Sequence, residues 1–360
     1  DPTLWRNIMI MIDWLSSTTR TPDQVYTNER TTNIRLERSP LGEIIKEYRI
    51  GMNVKADPEP SSSRNFYVHT PDTRTLLMSG NPVKFLQGHN AFGSDDLTGL
   101  YLESGILLRQ NAGLFPSSDS WDACQFLMPN FSRIDITRSY RFQSDAEKQD
   151  FIRYIAGTAR TRHGAAKLFG SETAYFGLGS RRWSFKIYDK LAEYKKNNKG
   201  KNLDDELIDW LKGVARFELC LRSPELKVIN HTVAQGNSVK LQPIWEYYYS
   251  KIDFNENATM TKNSHDFSKL TNAESKAFLQ WQAGADLRSM MTTPTFYRLR
   301  KGIKKALGVD ISTPPIGERT EQIKKPVRSD LDPAGWDPEP LEHKMFTPRD
   351  EVKKSYGFNS

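Results

Sequence analysis

RRWSFKIYDK, residues Arg181–Lys190, decides the fold because it alternates. Trp183, Phe185 and Ile187 are apolar, whereas Ser184, Lys186, Tyr188 and Lys190 are polar. Successive side chains on a β-strand point to opposite faces. The pattern therefore predicts a strand with one face in a core and, on a solvated face, a tyrosine between two lysines.

The same reading extends outward. SRIDITRSY (Ser132–Tyr140) places Ile134 and Ile136 on one face and Arg133, Asp135 and Thr137 on the other. VARFELCLR (214–222) turns Ala215, Phe217, Leu219 and Leu221 inward and Arg216, Glu218 and Cys220 the other way. Between these strands, Ser144 and Glu147 have capping-box spacing before an apolar series Phe151, Tyr154, Ile155 and Ala159, which predicts a helix. TAYFGLG (173–179) reads as a strand running into a glycine turn, and DDELIDWLKG (204–213) as a helix. Strands and helices joined by short turns predict an α+β fold: a central, largely antiparallel sheet with helices packed on one face, followed by a mainly helical, basic C-terminal region.

Three strands then each offer one reactive side chain to the uncovered face: Asp135, Tyr188 and Glu218. Two carboxylates suit a hard cation such as Mg²⁺ or Mn²⁺. Such a cation polarises a phosphoryl oxygen, and a tyrosine can attack phosphorus to form a covalent phosphotyrosine. Lys186 and Lys190 flank Tyr188 and would stabilise its phenolate, and Lys190 could also neutralise the phosphate. The plain alternatives are a packing tyrosine and surface ion pairs between Asp135 and Arg133 and between Glu218 and Arg216, which contribute little. Of six histidines none forms a His–hydrophobic–His pair. His89, in LQGHNAFGSDD, reads either as a turn residue or as a nitrogen ligand.

The chain has 360 residues, 37% hydrophobic and 26% charged, which suits a globular protein of about two domains. No apolar run approaches the roughly 18 residues of a membrane span, and the N-terminus, cut by Asp13, is not a secretory signal. Two cysteines, Cys124 and Cys220, give neither a zinc spacing nor a disulfide framework, so a reducing cytoplasm is expected. The net charge of +7 favours an acidic partner, most often nucleic acid. Arg181 and Arg182, at the head of the opening stretch, are candidate DNA contacts. So are Arg298, Arg300, Lys301, Lys304 and Lys305, on a helix that Thr293 and Pro294 open and that turns Phe296, Leu299, Ile303 and Leu307 inward. The alternative for that helix is a solvated face; the functional reading is phosphate contact that positions DNA without reading bases. Residues 55–65 and 195–206 read as polar loops.

At these residues the chain resembles the gene II/X replication initiators of filamentous bacteriophages, the rolling-circle nickases. The resemblance rests on MIDWL near the start, NPVKFLQGHNAFGSDDL (Asn81–Leu97), SRIDIT, SFKIYDKLAE (Ser184–Glu193), GVARFELCLRSPELK (Gly213–Lys227), TPTFYRLRKGIKKALGVDI (Thr293–Ile311) and a late PVR…W.PEP segment (Pro326–Pro340). It implies a nickase domain over 9–230, with catalytic strands at 132–140, 183–190 and 214–222. A helical, basic DNA-binding region over 231–312 and an extended Pro-rich tail over 313–360 would follow. Tyr188 would be the nucleophile with Lys190 its partner, Asp135 and Glu218 the metal positions, and His89 part of the Gly–His–Asn motif. The partners implied are double-stranded phage or plasmid origin DNA, the displaced single strand, and the host helicase and polymerase. The setting is the cytoplasm of a bacterial host, with a homo-oligomer on DNA and no membrane. Strand closure through a phosphotyrosine needs no nucleotide, consistent with the lack of a phosphate-binding Gly-x-x-x-x-Gly-Lys-Ser/Thr loop. The competing classes are a non-catalytic origin or operator binder, a plasmid-type initiator, and a recombinase. A mid-chain tyrosine counts against the recombinase.

Overall fold

The structure, a computed structural model, describes residues 10–20, 33–40, 44–57, 64–72, 74–112, 129–162, 164–169, 173–254, 269–282, 285–312 and 339–356. Among them, thirteen strands precede or interleave with the helices. The first six are β1 (Ile10–Arg20), β2 (Asn33–Arg38), β3 (Ile44–Ile50), β4 (Met52–Lys55), β5 (Asn65–Asp72) and β6 (Thr75–Gly80). The others are β7 (Asn130–Arg141), β8 (Arg160–Thr161), β9 (Gly164–Ala165), β10 (Lys167–Phe169), β11 (Thr173–Phe176), β12 (Trp183–Asp189) and β13 (Val214–Arg222). Helices α1 (Pro82–Gln87), α2 (Leu97–Ala112), α3 (Asp145–Thr158), α4 (Lys190–Asn197), α5 (Asp205–Leu211), α6 (Lys227–Ala234) and α7 (Leu241–Tyr249) accompany them. A second helical group holds α8 (Asn272–Gln282), α9 (Leu287–Met290) and α10 (Thr293–Leu307), and α11 (Asp350–Ser355) lies near the C-terminus.

One nine-stranded sheet runs β10-β11-β12-β13-β7-β1-β6-β5-β4, and every neighbouring pair is antiparallel. The three strands of the opening argument are therefore adjacent, with β13 between β12 and β7. Their apolar sides meet the helices: Phe185 packs on Trp245 and Tyr249 of α7, and Phe217 on Phe151 of α3. The α+β class is as the alternation indicates. Ser144 caps α3, its side chain accepting from the Glu147 amide at 3.1 Å. Gly213 makes the tight entry to β13: its φ is +71°, and a Cβ there would lie 2.5 Å from the Phe142 carbonyl.

Two corrections concern the opening stretch. Its polar face is only partly solvated: Ser184 and Tyr188 are 2% and 6% exposed and Lys190 is fully buried, while the Lys186 side chain is 33% exposed. A distant segment forms part of the cover: the Asn90 and Ala91 carbonyls accept from Arg216, the neighbour of Tyr188 across the sheet, and Asn90 Oδ1 accepts from Lys190. And Lys190 does not lie on the strand. Asp189 ends β12 and caps α4, accepting from the Ala192 amide at 3.0 Å, so Lys190 is that helix's first residue.

A small separate core of Phe278, Trp281, Leu287, Phe296, Leu299 and Ile303 joins α8, α9 and α10. Gly302 of α10 lies against the Glu274 side chain of α8, whose carboxylate occupies the space a Cβ would take. Residues 313–338 of the expected tail lie outside the described residues. Residues 339–356 return to the sheet domain: α11 packs on α2, and Pro348 lies against Gly99.

Candidate functional site

Glu218 sits at the centre of the site. In β13 it lies directly opposite Lys186 of β12 on one side and Thr137 of β7 on the other. Directly paired residues share a face, with Cβ atoms about 5 Å apart, so their side chains meet. The Lys186 ammonium donates to Glu218 Oε1 at 2.7 Å, and the Tyr188 hydroxyl donates to Oε2 at 3.1 Å. Asp135, two residues before Thr137 on the same face, faces Cys220. Arg133 clamps Asp135 through Nε at 2.9 Å and Nη2 at 2.5 Å while lying over the Trp14 ring. The structure thus brings Asp135, Glu218, Tyr188 and Lys186 onto one face, as expected, but largely under cover.

The electrostatics follow from burial. Removal from water pushes the Glu218 carboxyl up to about 7; Lys186 opposes this, and the charges of Asp135 and Asp13 add to it. Burial, together with the Glu218 and Asp13 carboxylates, also holds the Tyr188 phenol well above its usual range. For Lys186 burial works against the charge, but the Glu218 carboxylate outweighs it and keeps the ammonium protonated.

Sequence reasoning missed Asp13, Asn90 and Arg216. The β1–β7 register slips between Ile12 and Trp14, leaving Asp13 as the extra residue of a bulge. The bulge re-aims its carboxylate: Asp13 Oδ1 accepts from Asn81 at 2.9 Å and from Asn90 at 2.8 Å. Burial would raise this carboxyl, but the charges of Lys190 and Arg216 bring it below the usual range. Asn90 Oδ1 in turn accepts from the Lys190 ammonium at 3.1 Å. Arg216, fully buried opposite Tyr188 and Ser139, donates through Nε to Ser139 Oγ at 2.9 Å and through Nη2 to the Asn90 carbonyl at 3.0 Å. The one sequence signal was a lone acid in an apolar strand, IMIDWL.

His89 is not grouped with the carboxylates. Its Nε2 donates to the Lys344 carbonyl at 3.1 Å, Nδ1 meets Gln87 Nε2 at 3.2 Å, and its ring packs edge-on against Phe92. Burial lowers its pKa to about 4, so the ring is neutral. Both nitrogens are engaged by protein groups.

The candidate DNA contacts also separate. Arg181 and Arg182 are exposed at the start of β12, and Arg182 pairs with Glu225 at 2.5 Å. On α10, Arg298, Lys301, Lys304 and Lys305 are exposed. Arg300 is held by both oxygens of Asp310 at 2.6 Å, and Lys304 reaches the same carboxylate at 3.2 Å.

Residues 11–242 match the family described as Replication-associated protein G2P N-terminal, and the chain belongs to that family. It is 29% identical over 243 residues to the replication-associated protein G2P of Enterobacteria phage I2-2, covering 66% of this chain and 70% of that protein. Among solved structures it is similar to a rolling circle replication initiator protein from Geobacillus stearothermophilus, with 13% identity and a TM-score of 0.33 over 76% of this chain and 96% of that one.

Proposed function

We propose that this chain is a DNA replication initiator that nicks one strand of a double-stranded origin through Tyr188 and later rejoins the displaced strand. The observation that carries this reading is the Tyr188 hydroxyl donating to Glu218 while Lys186 holds the other carboxylate oxygen. Glu218, near 7, is a base at neutral pH, whereas the phenol lies above its usual range. A preformed tyrosinate is therefore disfavoured, and the proton passes to Glu218 as the bond from the phenolic oxygen to phosphorus forms. The bond from phosphorus to the 3′ oxygen breaks, that oxygen takes a proton from water, and the 5′ phosphate stays on Tyr188. Protonated Glu218 no longer holds Lys186, whose ammonium is then free to face the phosphoryl oxygens. Rejoining reverses each step, with Glu218 returning its proton.

A Mg²⁺ or Mn²⁺ requirement is proposed from the chemistry of phosphoryl transfer, in which a cation neutralises charge on the phosphoryl oxygens. The residues as arranged do not form its site. Both Asp135 oxygens are on Arg133, both Glu218 oxygens are on Lys186 and Tyr188, and no three His, Cys, Asp or Glu among the described residues stand close enough to hold a metal. The steps above involve only protein groups. Arg181, Arg182, Arg298, Lys301 and Lys305 are proposed to meet phosphates of the origin duplex.

One observation favours a second reading, a non-catalytic origin binder: Tyr188 is 6% exposed, so DNA reaches it only after the groups around it open. Incubation with supercoiled origin DNA and Mg²⁺, followed by a search for protein-linked DNA, separates the two. The nickase gives an adduct that Tyr188→Phe does not form. No adduct with the unaltered chain favours the binder, and an adduct with Tyr188→Phe moves the nucleophile to Tyr175 or Tyr194.

A further inference from the structure

Lys190 presents a problem that the reading above leaves open. Its ammonium is fully buried, 5.9 Å from the centre of the Tyr188 ring, on a helix whose first turn could have turned it to water. Such a group persists in low dielectric only if its charge is matched. Two partners touch it: Glu193 Oε2 at 2.8 Å, one turn along α4, and Asn90 Oδ1 at 3.1 Å. Asn90 is itself fixed, since its amide nitrogen is donated to Asp13 and its carbonyl accepts from Arg216. The chain Asp13–Asn90–Lys190 thus links the β1 bulge, the covering segment and α4.

We infer that Asp13 and Asn90 are positioning residues for the nicking reaction: the bulged carboxylate orients the Asn90 amide, and that amide aims the Lys190 ammonium at the phosphate entering beside Tyr188. The inference rests on the Tyr188 reading. Asn90 cannot turn its oxygen away from Lys190 without also withdrawing its amide nitrogen from Asp13, so the carboxylate fixes the amide's sense. Arg216 Nη1, 3.9 Å from Asp13 and without a hydrogen bond, shares the carboxylate's field with Lys190. The charged and titratable groups that face Lys190 are Asp13, Lys84, His89, Tyr188, Glu193 and Arg216. Of these, Asp13 and Glu193 favour its charge, and Asp13 is the one not on its own helix.

Asp13→Asn tests the inference. Asp13 Oδ1 is the acceptor for both amides, so an asparagine there, neutral and able to present either its oxygen or its nitrogen, loosens the hold on Asn90 as well as losing the charge. Single-turnover cleavage of an origin oligonucleotide by the full chain should fall at least about tenfold in maximal rate, with the half-saturating DNA concentration unchanged. The alkaline limb of its pH profile should move to lower pH, because Lys190 loses a stabilising carboxylate. Asn90→Ala should lower the rate similarly and, with the relay cut, make the further change at Asp13 nearly silent. Weaker DNA binding at unchanged maximal rate, or additive effects with an unmoved alkaline limb, would overturn the inference. Should one variant fail to fold, the limb and rate of the other decide. If the unaltered chain forms no Tyr188 adduct, the Tyr188 reading fails first; if it does and Asp13→Asn matches it, only this inference falls.

Discussion

At the residue scale, Glu218 carries the sharpest consequence. Its carboxyl titrates near 7, so as proposed base it is competent only when ionised, and the nicking rate should fall as pH drops through about 7. The same shift enters stability with a definite sign. The folded pKa is raised above the ordinary 4.5, so the native state binds more protons between about 4.5 and 7. The stabilisation is complete below about 4.5 and is lost as pH rises through about 7. Lys186 titrates above this window and does not mask it. Glu218→Gln should abolish the adduct and flatten the change in melting midpoint between pH 5 and pH 8, read by calorimetry. A variant that keeps wild-type nicking would remove Glu218 from the chemistry. Tyr188→Phe, by contrast, removes one hydrogen bond worth about 1 kcal/mol and should leave the fold intact.

At the element scale, α10 offers a test of charge against packing. Phe296, Leu299 and Ile303 bury one side in the small helical core, while Arg300 and Lys304 are drawn to Asp310. That leaves Arg298, Lys301 and Lys305 as the phosphate contacts proposed for this helix. Replacing the three by alanine should weaken origin and random duplex about equally and flatten the log–log salt dependence by up to about 0.9 per lost contact. An unchanged slope in a fluorescence-anisotropy titration would assign the helix to another partner. Elements of this kind were legible from sequence because their signals are local: alternation over nine residues placed β13, and a capping pair placed the start of α3. Their surroundings were not. Alternation distinguishes two faces but cannot say that the second is partly covered by a segment about a hundred residues away. Likewise a one-residue bulge hides Asp13 within a strand that otherwise reads as core. Lys190 kept strand parity in the sequence, yet a capping aspartate had already ended the strand.

At the scale of the whole molecule, the C-terminal segment is tied both to the covering segment and to the helices beside it, α2 and α5. The Lys344 carbonyl takes His89 Nε2, Gln87 Oε1 accepts the Phe346 amide at 2.8 Å, and Arg349 pairs with both oxygens of Glu103 at 2.8 Å. Trp210 Nε1 donates to the Glu339 carbonyl at 2.7 Å. Because the Arg349 side chain is 54% exposed, its pair is screened and contributes under about 1 kcal/mol to global stability. Its effect should be local. Arg349→Ala with Lys344→Ala, which frees the C-terminal segment from Glu103 and from Asp204 and so loosens the backbone that takes His89, should speed amide hydrogen exchange over residues 87–96 and leave β7 and β13 protected. Equal exchange in both proteins would mean that the sheet alone carries the cover.

The thiol opposite Asp135, four residues along β13 from the neighbour of Tyr188, allows the burial of the carboxylates to be timed. Cys220 is 5% exposed, and burial beside the Asp135 carboxylate pushes its pKa up to about 12. In the closed molecule it is inert to alkylating reagents at neutral pH. With Cys124→Ser as background, the rate at which iodoacetamide labels Cys220 becomes a stopwatch for the interior. It counts each excursion that wets the carboxylates, with or without DNA, in a molecule whose tyrosine need not react.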